Sequence, residues 1–218
     1  FFCAVIAFRC SRFLIAARAL IRVNLMPAVY GWETKRTNRI GVSITGIHEF
    51  AWKFFRLGFR DLIDEVKSKD FWNAVDRFRL AVIDEAAKYS KEIGRPAPHT
   101  SMCIKPGGTV PKLFGLTEGW NLPAMEFYLR WVQFHSDDPL IRDYGVKGYP
   151  VRELKSYRDT TIVGFPTAQV IATLGLGDKF VTAAQATPEE QYKWVMLGEK
   201  HWLGDEGFGN QISYTLKY

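Results

Sequence analysis

The chain has 218 residues, 47% hydrophobic, 15% aromatic and 24% charged, with 18 Gly and 10 Pro. This is the composition of a globular, core-forming polypeptide, and it excludes a disordered chain, a collagen and a disulfide miniprotein. The net charge of +6 is uneven, since residues 1–60 hold ten Lys/Arg against two Asp/Glu and the remainder is slightly acidic.

A basic end fits an anionic partner, such as nucleic acid, phosphate or an acidic piece of protein. It equally fits a solvated basic face. Cys3, Cys10 and Cys103 are too few and too scattered for a disulfide framework, which points to a reducing, cytoplasmic compartment. His48, His99, His135 and His201 lack zinc-ligand spacing.

Residues 1–8 are apolar, but Arg9, Arg12, Arg18 and Arg22 follow and interrupt the run. No stretch reaches the roughly 18–20 residues that span a bilayer. A signal peptide places its charges before the apolar run, not through it. Residues 1–23 therefore read as a basic helix, starting near residue 4 and lying on something else. A membrane-surface role is disfavoured because the arginines do not gather on one face.

Residues 40–45, Ile-Gly-Val-Ser-Ile-Thr, form a β-branched run that predicts a buried strand ended by Gly46. An apolar helix follows to about Phe59. The clearest helix spans residues 70–93. Phe71, Val75, Phe78, Val82, Ala86, Tyr89 and Ile93 recur at three and four residues on one face. Asp70 suits its N-cap, Gly94 its C′ position, and Pro96 blocks continuation. Residues 101–104 predict a second strand, 129–134 a third, and 160–165 a fourth that Pro166 ends. Thr187-Pro188-Glu189-Glu190 is a capping box with Pro at the first helical position, opening a helix to about Leu203. A Gly-rich loop over 204–210 leads to a last strand at 211–218, where Ile212, Tyr214, Leu216 and Tyr218 alternate with polar residues. The chain starts without Met and stops inside that strand, so it reads as a fragment of a longer polypeptide. The simplest architecture is one α/β unit with mainly parallel pairing.

The segment with the most chemistry is Lys105-Pro106-Gly107-Gly108-Thr109-Val110-Pro111-Lys112, between a strand and a short helical turn. Adjacent glycines let backbone approach an anion closely, and free N–H groups at a helix start favour negative charge. Thr109 adds a hydroxyl donor. The segment is not a Walker A loop, and taken alone Pro-Gly-Gly also reads as an ordinary turn.

Several motifs in register give the segment a context. Asn38-Arg39-Ile40-Gly41-Val42-Ser43 with Thr45-Gly46-Ile47, the Lys105–Lys112 run with Leu113, Glu118-Gly119, Asp138-Pro139-Leu140, Gly148-Tyr149, and Thr160-Thr161 with Val163, Phe165 and Pro166 resemble adenosylcobalamin-dependent (class II) ribonucleotide reductases. The monomeric ribonucleoside-triphosphate type is the best match, from about residue 20 onward. The resemblance implies a ten-stranded α/β barrel of two five-stranded halves, with this chain as its later portion and residues 38–218 its strands and helices. It implies radical reduction of ribonucleotides, with adenosylcobalamin as cofactor. The implied partners are a ribonucleotide substrate, a thioredoxin-like or dithiol reductant, and the remainder of the barrel, with neither nucleic acid nor membrane. It implies that Pro106, Gly107, Gly108, Thr109 and Val110 bind the substrate phosphates.

The family's finger-loop Asn-Pro-Cys-Gly-Glu motif, its reducing cysteine pair and its Cys tail are absent. No catalytic residue is therefore carried over to this chain. Gly107 stands where the family usually has Ser. Cys103 reads as a buried thiol. Arg39 fits a phosphate contact or a barrel-end salt bridge, and Glu118 the substrate mouth or a surface loop. Trp120, Trp131, Trp194 and Trp202 read as packing residues rather than base-stacking ones. His135 with Asp137 and Asp138 reads as a helix cap before a metal site. Tyr214 falls on an apolar stripe, whereas the radical relay of iron-dependent relatives uses adjacent tyrosines. The rival readings are a non-catalytic nucleotide-binding subunit of a split enzyme, an iron-dependent (class I) large-chain fragment, and a nucleic-acid module on residues 1–60. The last lacks any recognisable motif.

Overall fold

The computed structural model describes residues 38–108 and 110–216, together with Trp32 and Arg36. The basic helix expected within residues 1–23, Cys3, Cys10, Thr109 and the last two residues of the expected final strand lie outside the described residues.

The helices are α1 (Ile47–Phe55), α2 (Phe59–Leu62), α3 (Lys69–Glu92), α4 (Val110–Leu113), α5 (Pro139–Val146) and α6 (Pro188–Gly198). The strands are β1 (Met102–Ile104), β2 (Phe127–His135), β3 (Val151–Glu153), β4 (Thr160–Ala168) and β5 (Gly209–Ile212). Helices and strands are mixed along the chain, consistent with the α/β reading.

Helix α3 buries the periodic face read from the sequence: Phe71, Val75, Phe78, Val82, Ala86 and Tyr89 are all buried. Each large apolar side chain there contributes about 1.5–3 kcal/mol. Gly94 adopts φ 67 just past the helix end, as expected. The N-cap is Ser68 rather than Asp70. The Ser68 hydroxyl donates to the carbonyls of Leu62 and Asp64 at 3.0 and 2.7 Å, tying the helix start to the preceding turn. The helix expected from Gly46 to Phe59 is broken instead. Arg56 is left-handed at φ 59, and its N–H returns to the Ala51 and Trp52 carbonyls, so α1 stops at Phe55 and α2 begins anew.

β1 is buried at every position and pairs in parallel with β5. On its other side the expected 40–45 strand is reduced to one parallel bridge, Val42 to Met102. Its extended backbone still bonds alongside β1, with Ile40 N–H to Thr100 O at 3.0 Å and Cys103 N–H to Val42 O at 3.0 Å. The last strand begins two residues earlier than expected and its ladder ends at Ile212.

The second sheet corrects the expectation of mainly parallel pairing. Its order is β2-β4-β3, antiparallel throughout. Only six residues separate β3 from β4, too few for the crossover that parallel strands need. Pro166 does not end β4, which runs on to Ala168. The Gly164 N–H donates to Pro150 O on the β3 side, so the nitrogen of Pro166, two residues on, faces past the end of β3 where no donor is required.

The core lies between α1, α3, α6 and the β1–β5 pair. Trp72, Trp120, Trp194 and Trp202 are fully buried in it. The Trp194 indole N–H donates to Trp120 O at 2.8 Å, and that of Trp202 is shared between Val42 O and Cys103 O at 3.2 Å each. The capping box at Thr187 and Glu190 forms as read from the sequence. The helix then passes into a π-helical turn, Glu199–Leu203. Among the described residues no helix is long and apolar enough to cross a membrane.

Candidate functional site

Buried β1 delivers the chain to Lys105, where it surfaces. Lys105 and Gly108 are exposed, Pro106 and Gly107 half-buried, and α4 begins at Val110. Loops at the carboxyl ends of parallel strands are where α/β sheets hold ligands. Gly107 sits at φ 63, in the left-handed region that favours glycine. Among the described residues, a Cβ at Gly108 would meet only the Glu118 carboxylate, 3.8 Å away, so the segment's outer face is open to them. Pro106, Gly107, Gly108 and the backbone of Val110 are thus contiguous at one strand end. Thr109, the fifth residue, lies outside the described residues.

A second loop packs against the segment. Gly119, at φ 59, lies so close that a Cβ would sit 1.9 Å from Lys105 O and 2.9 Å from Pro106 O. Its N–H donates to Thr45 Oγ1 at 3.2 Å. Thr117, fully buried, donates its N–H to Glu49 Oε1 at 2.8 Å and its hydroxyl to Glu49 Oε2 at 2.6 Å. Glu118 pairs with Lys112 at 3.3 Å, so its charge is met by a cation of the neighbouring segment.

Beside this pair lies a cleft of about 370 Å³, lined by Lys112, Glu118, Asn121, Tyr128, Gln169 and Thr215 among others. Asn121 Oδ1 and Gln169 Oε1 are buried there without a hydrogen-bond partner among the described residues.

The remaining candidates separate cleanly. Cys103 is buried, and burial pushes its thiol pKa up against the opposing charge of Lys105. A thiol in that state is a poor nucleophile. Arg39 is exposed. Asp138 caps α5 by accepting from Leu140 N–H at 2.9 Å, as the cap reading expects. The His135–Asp137 pair is solvent-exposed, and among the described residues no group of three metal-ligating side chains occurs. Trp131 lies under the Arg152 guanidinium, 4.8 Å from its ring centroid, and its ring covers Gly164. Burial pushes the Tyr214 pKa up to about 12, against a smaller opposing effect of the Leu122 backbone.

Sequence reasoning missed Glu49, Thr117, Asn121 and Gln169, and held Thr45 only as part of a motif, without a role. Glu49, the one carboxylate of the helix Ile47–Phe55, was the available signal, because such a group must find donors once buried.

No protein-family model matches the chain. It is 30% identical over 226 residues to an adenosylcobalamin-dependent ribonucleoside-triphosphate reductase of Lactobacillus delbrueckii subsp. bulgaricus, covering 94% of this chain and 29% of that protein. The enzyme of that name from Lactobacillus leichmannii matches with the same identity and coverage, and that from Lactobacillus gasseri at 28% identity. The crystal structure of a B12-dependent (class II) ribonucleotide reductase superposes with a TM-score of 0.75 at 25% identity, over 96% of this chain and 30% of that one. The chain therefore spans under a third of the relatives it matches. Its fold is that of part of a class II ribonucleotide reductase, in agreement with the resemblance its motifs carry.

Proposed function

We propose that this chain, a relative of the adenosylcobalamin-dependent ribonucleoside-triphosphate reductases, is part of such an enzyme and supplies the substrate-phosphate-binding part of its barrel. In this reading the protein reduces ribonucleotides, as triphosphates, to deoxyribonucleotides. The observation that carries it is the Pro106–Gly108 backbone, surfacing at the end of a buried parallel strand with Gly107 left-handed and Gly108 uncovered.

In this reading the N–H groups of Gly107, Gly108, Thr109 and Val110 donate to phosphate oxygens, and Pro106 sets the turn. Charge-assisted bonds of this kind are the stronger class of hydrogen bond. The Thr109 hydroxyl adds a donor. Lys105 and Lys112 flank the segment and offset the phosphate charge, with Lys112 held by Glu118 at 3.3 Å.

Adenosylcobalamin supplies the radical chemistry of such an enzyme. No residue of this chain is assigned to hold it. The thiyl and reducing cysteines, the reductant contact and the rest of the barrel fall to polypeptide beyond this match.

The test is turnover. A full-length polypeptide containing this chain, given a ribonucleoside triphosphate, adenosylcobalamin and a dithiol, is expected to yield the deoxyribonucleotide only when the cofactor is present. Activity that instead requires an iron-bearing second subunit would move the chain to the iron-dependent enzymes. Nucleotide binding without turnover under either condition would leave a non-catalytic binding subunit.

A further inference from the structure

We infer that Glu49 and Thr45, on the junction leading into α1, are positioning residues that set the aim of the phosphate segment without touching its ligand. This rests on the phosphate-binding reading above and extends it to Glu49, which lies outside the quoted motifs, and to Thr45, which they include without a role.

The argument follows one chain of contacts. Glu49 is in the first turn of α1 and only 3% exposed, yet it is a carboxylate, the one in that helix. Burial without donors would be costly. Both its oxygens are satisfied by one residue, Thr117, through its N–H at 2.8 Å and its hydroxyl at 2.6 Å. The Thr117 carbonyl in turn accepts the Gly46 N–H at 3.2 Å. Residue 117 is thus pinned at three points to the start of one helix.

Two residues on, Gly119 donates to Thr45 Oγ1 at 3.2 Å and lies flat on the carbonyls of Lys105 and Pro106. That contact leaves no room for even one added carbon, so the backbone at 105–106 follows wherever Gly119 is held. Thr45 Oγ1 also lies 3.6 Å from the place a Cβ of Gly107 would occupy. The direction in which the Gly107 and Gly108 N–H groups face is therefore fixed from Glu49 and Thr45 through the 117–119 loop. Preorganised donors bind an anion more tightly than donors that must be ordered on binding.

The test measures the dissociation constant of inorganic triphosphate by calorimetry on the full-length polypeptide, well below the melting midpoint, alongside that midpoint. Glu49→Gln keeps the volume but replaces one acceptor oxygen with a donor nitrogen. Thr45→Val keeps the shape and removes only the hydroxyl, at a half-buried site where folding is tolerant. Each variant is expected to weaken triphosphate binding about tenfold, the equivalent of one lost hydrogen bond. Thr45→Ser is expected to restore it to within about threefold. A purely structural role would lower the midpoint and leave the dissociation constant of the folded protein unchanged. If both variants bind within about twofold of the parent while Gly108→Asp binds poorly, the positioning role is overturned and the phosphate segment stands. If Gly108→Asp also binds normally, the segment itself fails and the positioning role falls with it.

Discussion

Gly198, the last residue of α6, faces the indole of Trp120 so closely that a Cβ there would lie 2.8 Å from Cζ3 and 3.1 Å from Ile104 Cδ1. Trp120 is stacked at 11° on Trp72 and tilted against Trp194, so it cannot retreat without moving the centre of the core.

Gly198→Ala is therefore expected to destabilise the fold, although alanine is the better helix former. The gain in helix propensity is about 1 kcal/mol. Overpacking a filled core costs about 1–3 kcal/mol, and the neighbours here are the rigid Trp120 indole and Ile104 of β1. A denaturant titration should show a lower midpoint with unchanged slope. A higher midpoint would mean the tryptophan cluster has slack that the geometry does not show.

His48 links this core to acid sensitivity. Burial among Phe59 and Trp194 lowers its pKa from 6.5 to about 4, against a smaller opposing effect of the Asn121 backbone. The unfolded chain then takes up a proton that the folded chain refuses between pH 6.5 and 4. Stability from this group is complete above the unfolded value and is lost as pH falls through that window, by about 3 kcal/mol at most. His48→Phe should flatten the pH dependence of unfolding free energy over that range. An unchanged slope in the variant would place the acid sensitivity elsewhere.

If the proposed function holds, Tyr214→Phe in the full-length protein is expected to keep the cobalamin-dependent turnover within a few-fold. The phenol packs against the core and the substitution removes only its hydroxyl, so about 1 kcal/mol is at stake. Complete loss of activity with intact nucleotide binding would make a radical relay, and an iron-dependent enzyme, the better account.

Helix α3 was legible because its apolar residues repeat at helical spacing over 24 residues, with Gly94 and Pro96 marking the end. The capping box at Thr187 was legible for the same reason, since cap chemistry is local. The antiparallel sheet was not. β3 is three exposed residues with no alternation, and Pro166 looks like a terminator until its nitrogen is seen to face past the end of β3. At the site, Gly107 and Gly108 announced themselves by composition. Glu49 and Thr117 are 68 residues apart and meet only through the fold, so no local pattern could pair them.

The most direct measurement is ribonucleoside-triphosphate affinity in Gly108→Asp, made in the full-length polypeptide. The position is open and its backbone ordinary, so the variant should fold. The new carboxylate would face the phosphates and stand beside Glu118. Loss of at least one charge-assisted bond predicts weaker binding by about 1.5–3 kcal/mol, a factor of about ten to a hundred or more. Unchanged affinity in a folded Gly108→Asp protein would contradict the assignment of Pro106, Gly107, Gly108, Thr109 and Val110 to the substrate phosphates.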